Sequence, residues 1–360
     1  MPDQPSPVAL IHNQNHVMHR SDSTSPEDPE RLTRVMQYLS GRTTIFTDGV
    51  AKLVTKFPPA TDAEVQLVHD SNYIEFIKRY SAKGGGFLGD STYIAPNSYK
   101  VALHAVGGAI EAAKCVMSGE FPSSFALVRP PGHHASTDRF GGFCIFNNSA
   151  ITARWLQKNS SAGKVMMVDF DAHAGDGTMR IFYDDPTVFT ISLHRDPHDF
   201  YPHDGFTHQI GTGKGRGYCA NIEMPEGSGD EEYMLALETI VLPLIGEYKP
   251  NVLLVPIGYD AHYAEKQTGM QMTQNGYYRM ISALRQFKLP TVLVFEGGYS
   301  KANPQVTQAV VMALAGLQAP AHKEEMDMLT ASVTRKVSTR AILKDNLNEL
   351  WGFLSEYHKI

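Results

Sequence analysis

Cysteine is scarce in this chain, with three in 360 residues (Cys115, Cys144 and Cys219). They cannot close a disulfide framework and are not spaced as a zinc knuckle, so a stapled secreted scaffold is not expected. Charge of one sign is also lacking. Lysine and arginine number 32 against 38 Asp and Glu, a formal charge of −6 without a basic cluster, which argues against nucleic acid as an obligate partner. Long apolar runs are missing too. Segments such as Val252–Val255 fall far short of the ~18–20 residues of a membrane span. Met1–Leu10 carries Pro and Asp but no basic stretch, so no secretion signal is expected. There is no H-E-x-x-H helix, no G-x-S-x-G elbow and no phosphate-loop spacing. Gly211–Gly217 is glycine-rich but reads as a plain loop. The composition that remains is 42% hydrophobic, enough for a sizeable core, and describes a soluble cytoplasmic protein of a reducing compartment.

Apolar runs of strand length recur at Val8–Ile11, Phe125–Val128, Val165–Phe170, Val188–Leu193, Val252–Ile257 and Thr291–Phe295. Helical patterns separate them: a helix capped by Asp28 with Pro29 at its first position and running to Gly41, then Tyr99–Val116, Glu231–Ile245 and Ser338–Tyr357. Near-continuous apolar strands alternating with helices predict a parallel sheet covered on both faces. Without a repeat or a linker, one domain is expected over 1–360, with a core of about 8–320 and a C-terminal helical segment of about 321–360 packed on it. The loops after the strands (129–148, 171–180, 194–217, 258–276 and 296–304) hold much of the Gly, Pro and His. Parallel sheets bind ligands beyond the carboxyl ends of their strands, so one site built from several of these loops is expected.

Asp169-Phe-Asp171-Ala-His173 is the most informative segment. On an extended chain residues two apart share a face, so Asp169, Asp171 and His173 are expected to project together. Three such groups on one side of an apolar strand are costly unless a cation sits among them. A second segment ends in Gly258-Tyr-Asp260. Asp171, His173 and Asp260 are the expected ligands of one divalent metal with an open position for water. Arg129-Pro-Pro-Gly-His133-His134 places two imidazoles on a stiff loop, where one can take a proton from water. Each needs an acceptor to fix its tautomer, and Asp169 and Asp176 are unclaimed. Glu296-Gly-Gly-Tyr299 ends the last strand, where a phenol can donate to a developing oxyanion or act as an aromatic lid.

Taken jointly, these residues resemble the zinc-dependent deacetylases of the histone deacetylase superfamily. The matching segments are Pro26-Glu27-x-Pro29-x-Arg31-Leu32, Arg129-Pro-Pro-Gly-His-His-Ala135, Gly142-Phe-Cys-x-Phe-Asn147-Asn148, Asp169-x-Asp-x-His-x-Gly-Asp-Gly177, Ser192-Leu-His194 and Glu296-Gly-Gly-Tyr299. The Glu-Gly-Gly-Tyr form is nearer to class II and to bacterial acetylpolyamine or acetoin-type members than to class I. The resemblance implies the arginase–deacetylase fold, a three-layer α/β/α arrangement around a mostly parallel eight-stranded sheet. It implies one Zn²⁺ per chain on Asp171, His173 and Asp260. His134 with Asp176 would be the main general base and acid, His133 with Asp169 an electrostatic partner, and Tyr299 the group that polarises the acyl carbonyl. Gly142, Phe143, Tyr201 and Gln267 would line a narrow acyl-lysine-like tunnel and its rim. One or two K⁺ sites are implied, at Asp169, Asp171, His173, Ser192 and Leu193, and around Phe182, Asp185, Val188 and Tyr218. The implied partners are acetyl-lysine proteins or small acetylated amines, with a homo-oligomer possible.

The chain departs from the pattern at four positions. Ser25 replaces the His that precedes Pro-Glu, Ala174 replaces the second His of His-His-Gly, Tyr201 stands for a common Phe, and Gln267 sits where polyamine-selective members carry Glu. Two other readings are open. A dimanganese ureohydrolase of arginase type would need further carboxylates where this chain has Gly175 and His262, and a silent acyl-lysine-binding protein would not need the base and phenol.

Overall fold

The computed structural model describes residues 6–21, 25–320 and 333–359. In chain order the strands are β1 (Val8–Ile11), β2 (Ala51–Val54), β3 (Gly86–Gly89), β4 (Thr92–Ile94), β5 (Ser123–Ala126), β6 (Val165–Asp169), β7 (Val188–Arg195), β8 (Cys219–Met224), β9 (Val252–Ile257) and β10 (Thr291–Phe295). Eight of them form one sheet in the order β2-β1-β5-β10-β9-β6-β7-β8, and β3 and β4 make a separate antiparallel hairpin. Every pair in the large sheet is parallel, which sharpens the expectation of a mostly parallel one.

Alternation along these strands feeds two cores. Leu10, Phe125, Met166, Val168, Leu253, Val255, Leu293 and Phe295 enter one apolar cluster, and Ile11, Ala126, Val165, Met167, Leu254, Val292 and Val294 enter the other. Helices cover both: Glu30–Arg42, Gln274–Arg285, Asn303–Ala315 and Val333–Leu354 on the first side, Ser71–Ala82, Ser98–Met117 and Asn148–Asn159 on the second. Two buried faces explain why these strands are apolar throughout rather than alternating. The result is the expected three-layer α/β/α architecture.

Some boundaries differ from expectation. The strand expected at Phe125–Val128 lies at Ser123–Ala126, because the parallel ladder to its neighbours starts at Ser123 and stops at Ala126. The helix expected over Glu231–Ile245 is a run from Asp230 to Tyr248 containing a π turn at Leu237–Val241. Pro243 has no N–H for the preceding turn, and the wider turn takes up the mismatch. The C-terminal helix is Val333–Leu354, and residues 321–332 of the expected helical segment lie outside the described residues. Among the described residues no helix is long and apolar enough to cross a membrane. Because all eight strands run the same way, the loops after β5, β6, β7, β9 and β10 leave from one edge of the sheet.

Candidate active site

The expected group forms at that edge, though not by strand geometry. β6 ends at Asp169, and the chain beyond it turns. Asp169 Oδ1 accepts the Asp171 N–H at 3.0 Å, and Asp171 Oδ1 accepts the His173 N–H at 2.9 Å. Two successive aspartate side chains bonding the amide two residues on coil the segment, so the shared face of an extended strand does not apply. Asp171 and His173 still converge, and Asp169 turns instead to His133.

Asp171, His173 and Asp260 each offer a ligand atom, all within 4.8 Å of one another. His173 Nδ1 stands 3.1 Å from Asp171 Oδ1 and 2.8 Å from Asp260 Oδ2. The remaining carboxylate oxygens are fixed by the main chain. Asp171 Oδ2 accepts the Gly297 N–H and Asp260 Oδ1 the Ala172 N–H, both at 2.8 Å. Both carboxylates are fully buried. Burial by itself would depress the His173 imidazole, but its bonds to Asp171 and Asp260 push it up to about 9. Burial and the neighbouring Asp171 charge raise Asp260 to about 6. Two carboxylates and one imidazole with ligand atoms this close could hold a divalent cation, three protein ligands being the number common to catalytic zinc sites.

The histidine pair sits as the resemblance implies. His133 Nδ1 lies 3.0 Å from Asp169 Oδ2, and His134 Nδ1 lies 2.7 Å from Asp176 Oδ1. Burial works against a proton on His133, but Asp171 and Asp169 raise it well above the usual imidazole range. Burial and the adjacent His133 lower His134 to about 4, against the pull of Asp176. Its ring fits because position 142 lacks a side chain. Gly142 has φ +49, and a Cβ there would come within 2.2 Å of the imidazole. Phe143, also left-handed at φ +69, packs on Tyr299 with ring centroids 5.6 Å apart. Burial raises the Tyr299 phenol well above its ordinary value, so it is a protonated donor at neutral pH.

Asp90, Phe200 and Glu265 escaped sequence reasoning, and the residues it named have partners it did not foresee. Tyr201 packs on His134, ring centroids 5.0 Å apart, and its hydroxyl donates at 2.9 Å to Oδ2 of Asp90 at the tip of the β3–β4 hairpin. The polar wall expected from Tyr201 is therefore a tied one. Asp90 and Ser91 have φ of 47 and 55, left-handed for residues with side chains, and the Asp90 carbonyl accepts the Gly142 N–H at 3.0 Å. Phe200 stacks on the His173 ring at 4.7 Å. Behind the site, Arg31 donates to the carbonyls of Gly298 (2.8 Å) and Glu296 (2.5 Å), and its guanidinium lies 4.6 Å from the Tyr299 ring centroid. Glu27 joins Arg31 to Arg129, so the Pro26–Leu32 segment braces the floor. Gln267 is exposed, whereas Glu265 of the same loop is buried and accepts the Tyr299 N–H at 2.9 Å.

The residues of the implied potassium sites fall in two places. Ser192 and Leu193 lie beside the metal loop, where Ser192 Oγ meets His194 Nδ1 at 2.8 Å and accepts the Gly175 N–H at 3.4 Å. Phe182, Asp185, Val188 and Tyr218 gather at the amino end of β7, with the Asp185 carboxylate held by Arg154 at 2.5 Å and by Thr187. The second-metal positions of a ureohydrolase carry no carboxylate in this chain. A Cβ at Gly175 would stand 2.6 Å from Asp169 Oδ2, and His262 uses Nδ1 to accept the Ala264 N–H.

Fold and site together define a parallel α/β protein with a buried acid–imidazole centre at the carboxyl edge of its sheet. The profile of the histone deacetylase domain matches residues 25–317. A probable deacetylase of Archaeoglobus fulgidus is 36% identical over 360 residues, covering 98% of this chain and 99% of that one. A histone deacetylase-like amidohydrolase of Pseudomonas aeruginosa is 35% identical, with 82% and 77% covered. Histone deacetylase HDA1 of Saccharomyces cerevisiae is 37% identical over 76% of this chain but 42% of its own length. Among solved structures, the HDA15 HD domain superposes with a TM-score of 0.83 at 29% identity, covering 98% of this chain and 96% of that one. The chain belongs to the histone deacetylase family, and that membership supports a hydrolytic deacetylase activity.

Proposed function

We propose that this chain hydrolyses the amide of acylated amines, acetyl-lysine or acetylated polyamines, with Zn²⁺ held by Asp171, His173 and Asp260. The observation that carries the reading is the convergence of two fully buried carboxylates and one imidazole nitrogen within 4.8 Å, beside an imidazole whose own acceptor is a separate carboxylate. When bound, the metal supplies Lewis acidity toward water and the acyl oxygen. The chain's own residues do the rest. The Nδ1–H of His134 is held by Asp176, which leaves Nε2 as the basic nitrogen to take a proton from the attacking water. The Tyr299 hydroxyl donates to the acyl oxygen as negative charge develops there. Protonated Nε2 then returns its proton to the departing amine. His133, held between Asp169 and Asp171, places a positive group beside the pair. Phe143 and Tyr201 supply apolar ring surface for an alkyl chain.

The test is a zinc titration of metal-stripped protein against acetyl-lysine peptides, acetylpolyamines and longer acyl-lysines. Turnover that appears with one equivalent of Zn²⁺ per chain supports the reading, and the ranking of the panel identifies the substrate class. Tight peptide binding without turnover would point to the silent binding protein instead.

A further inference from the structure

Tyr299 follows two consecutive glycines, and a Gly-Gly turn holds no side chain in place by itself. Upstream, the turn is tied by its neighbours. The Gly297 carbonyl accepts the Tyr259 N–H at 3.1 Å, and the Gly298 carbonyl accepts from Arg31 Nε and Asn303 Nδ2, each at 2.8 Å. Gly298, at φ +104, lies so close to Tyr259 that a Cβ would come within 2.7 Å of it. These contacts fix the turn as far as residue 298. Beyond the glycines the Tyr299 ring packs on Phe143 and the Arg31 guanidinium, and its backbone is tied where the Tyr299 N–H donates to Glu265 Oε2 at 2.9 Å.

Glu265 is 7% exposed, and its own amide is held separately by the His262 carbonyl at 2.8 Å. Its loop therefore keeps that main-chain bond without the carboxylate, whose Oε2 accepts from the turn. A carboxylate is a stronger acceptor than a neutral group, and a buried N–H that loses its acceptor is left at a cost. The same loop carries Asp260 five residues earlier, so one short segment reaches both sides of the reaction centre.

We propose that Glu265 is the positioning residue of Tyr299, clamping the backbone beyond the Gly-Gly turn so that the phenol keeps its aim at the acyl oxygen. This inference rests on the hydrolytic reading above for its kinetic consequence, but not for its structural one. In Glu265→Ala the Tyr299 side chain should lose its single position in a crystal structure while Asp171, His173 and Asp260 keep theirs. One unchanged phenol conformer there overturns the proposal, whether or not the wild type hydrolyses acyl amines.

In kinetics, kcat of Glu265→Ala should fall by about 10–100-fold, the scale of a small misplacement of a reacting group, with KM changed less than about twofold. Glu265→Gln, which keeps an oxygen acceptor, should retain most of the activity. Because the effect runs through the phenol, Glu265→Ala should cost little more once Tyr299→Phe is present. Losses that multiply in the double variant, or a zinc content that drops with Glu265→Ala, would make Glu265 a structural residue and overturn the assignment. Should Glu265→Ala fail to fold, Glu265→Gln against Glu265→Leu supplies the same contrast.

Discussion

His133 and His134 are adjacent, share a loop, and each presents Nδ1 to a buried aspartate, yet their electrostatic settings are opposite. His133 has carboxylates on both sides, Asp169 at 3.0 Å and Asp171 at 3.8 Å, which hold a proton on it. His134 has one carboxylate and stands among imidazoles, its ring centroid 4.0 Å from that of His133 and 5.9 Å from that of His173, and burial keeps it neutral. One dyad is thus a charged brace and the other a vacant base, although the two residue pairs are chemically identical. Position relative to the three converging ligands, and not residue type, sets the division.

The division predicts a crossover. His134→Ala should lower kcat by about 10²–10⁴, the range of a lost general base, with little loss of stability. His133→Ala should cost less activity but more stability, on the order of 3–5 kcal/mol in metal-free protein, because it removes the cation beside two buried carboxylates that keep only their other hydrogen bonds. Turnover numbers beside urea melts would settle the matter, and a larger kcat loss in His133→Ala would exchange the two roles. Tyr299→Phe comes next, with an expected loss of about 10²–10³ in kcat and unchanged zinc content. Wild-type-like turnover in that variant would leave the oxyanion to the metal and the histidines alone.

How far the sequence reached depended on distance along the chain. Asp171 with His173 lies in a short segment whose residue types are improbable on an apolar strand, and the histidine pair follows Pro-Pro-Gly on a stiff loop, whereas Tyr299 stands between oxyanion donor and aromatic lid until the motifs are read jointly as a family resemblance. Asp90 is 111 residues from Tyr201 and sits on a polar hairpin tip resembling any surface turn. Glu265 looks like one more loop acid until the Tyr299 amide is seen to face it. β2 escaped because an edge strand of the sequence Ala-Lys-Leu-Val carries exposed residues. β8 escaped because Asn221 and Glu223 break its apolar run although both are buried. The coiling after Asp169 was hidden because Asx turns and strand alternation both bring residues two apart into register.

Imidazoles outside the site sharpen the contrast, since they too are buried neutral but to a structural end. His69 Nε2 accepts the Asn147 N–H at 2.9 Å, and burial lowers both His69 and His12 to about 4. Between about pH 6.5 and 4 the unfolded chain binds protons that these folded residues refuse, so their stability contribution is full above 6.5 and is lost as pH falls toward 4. The urea midpoint should fall over that interval. His69→Gln, which keeps an acceptor without titrating, should flatten the fall, and an unchanged slope would remove His69 from the account.

The smallest expected effect probes what leans on the vacant base. Tyr201 touches His134 through its ring and Asp90 through its hydroxyl, so Tyr201→Phe keeps the first contact and deletes the second. One hydrogen bond is worth about 0.5–1.5 kcal/mol, which caps the change near tenfold. Because the lost bond lies at the hairpin tip and not at Nε2, the change should appear in KM, by about threefold for an acetyl-lysine peptide, with kcat within about twofold. A fall in kcat with KM unchanged would mean that the hydroxyl helps to seat the His134 ring, and the base would then depend on the rim as well as on Asp176.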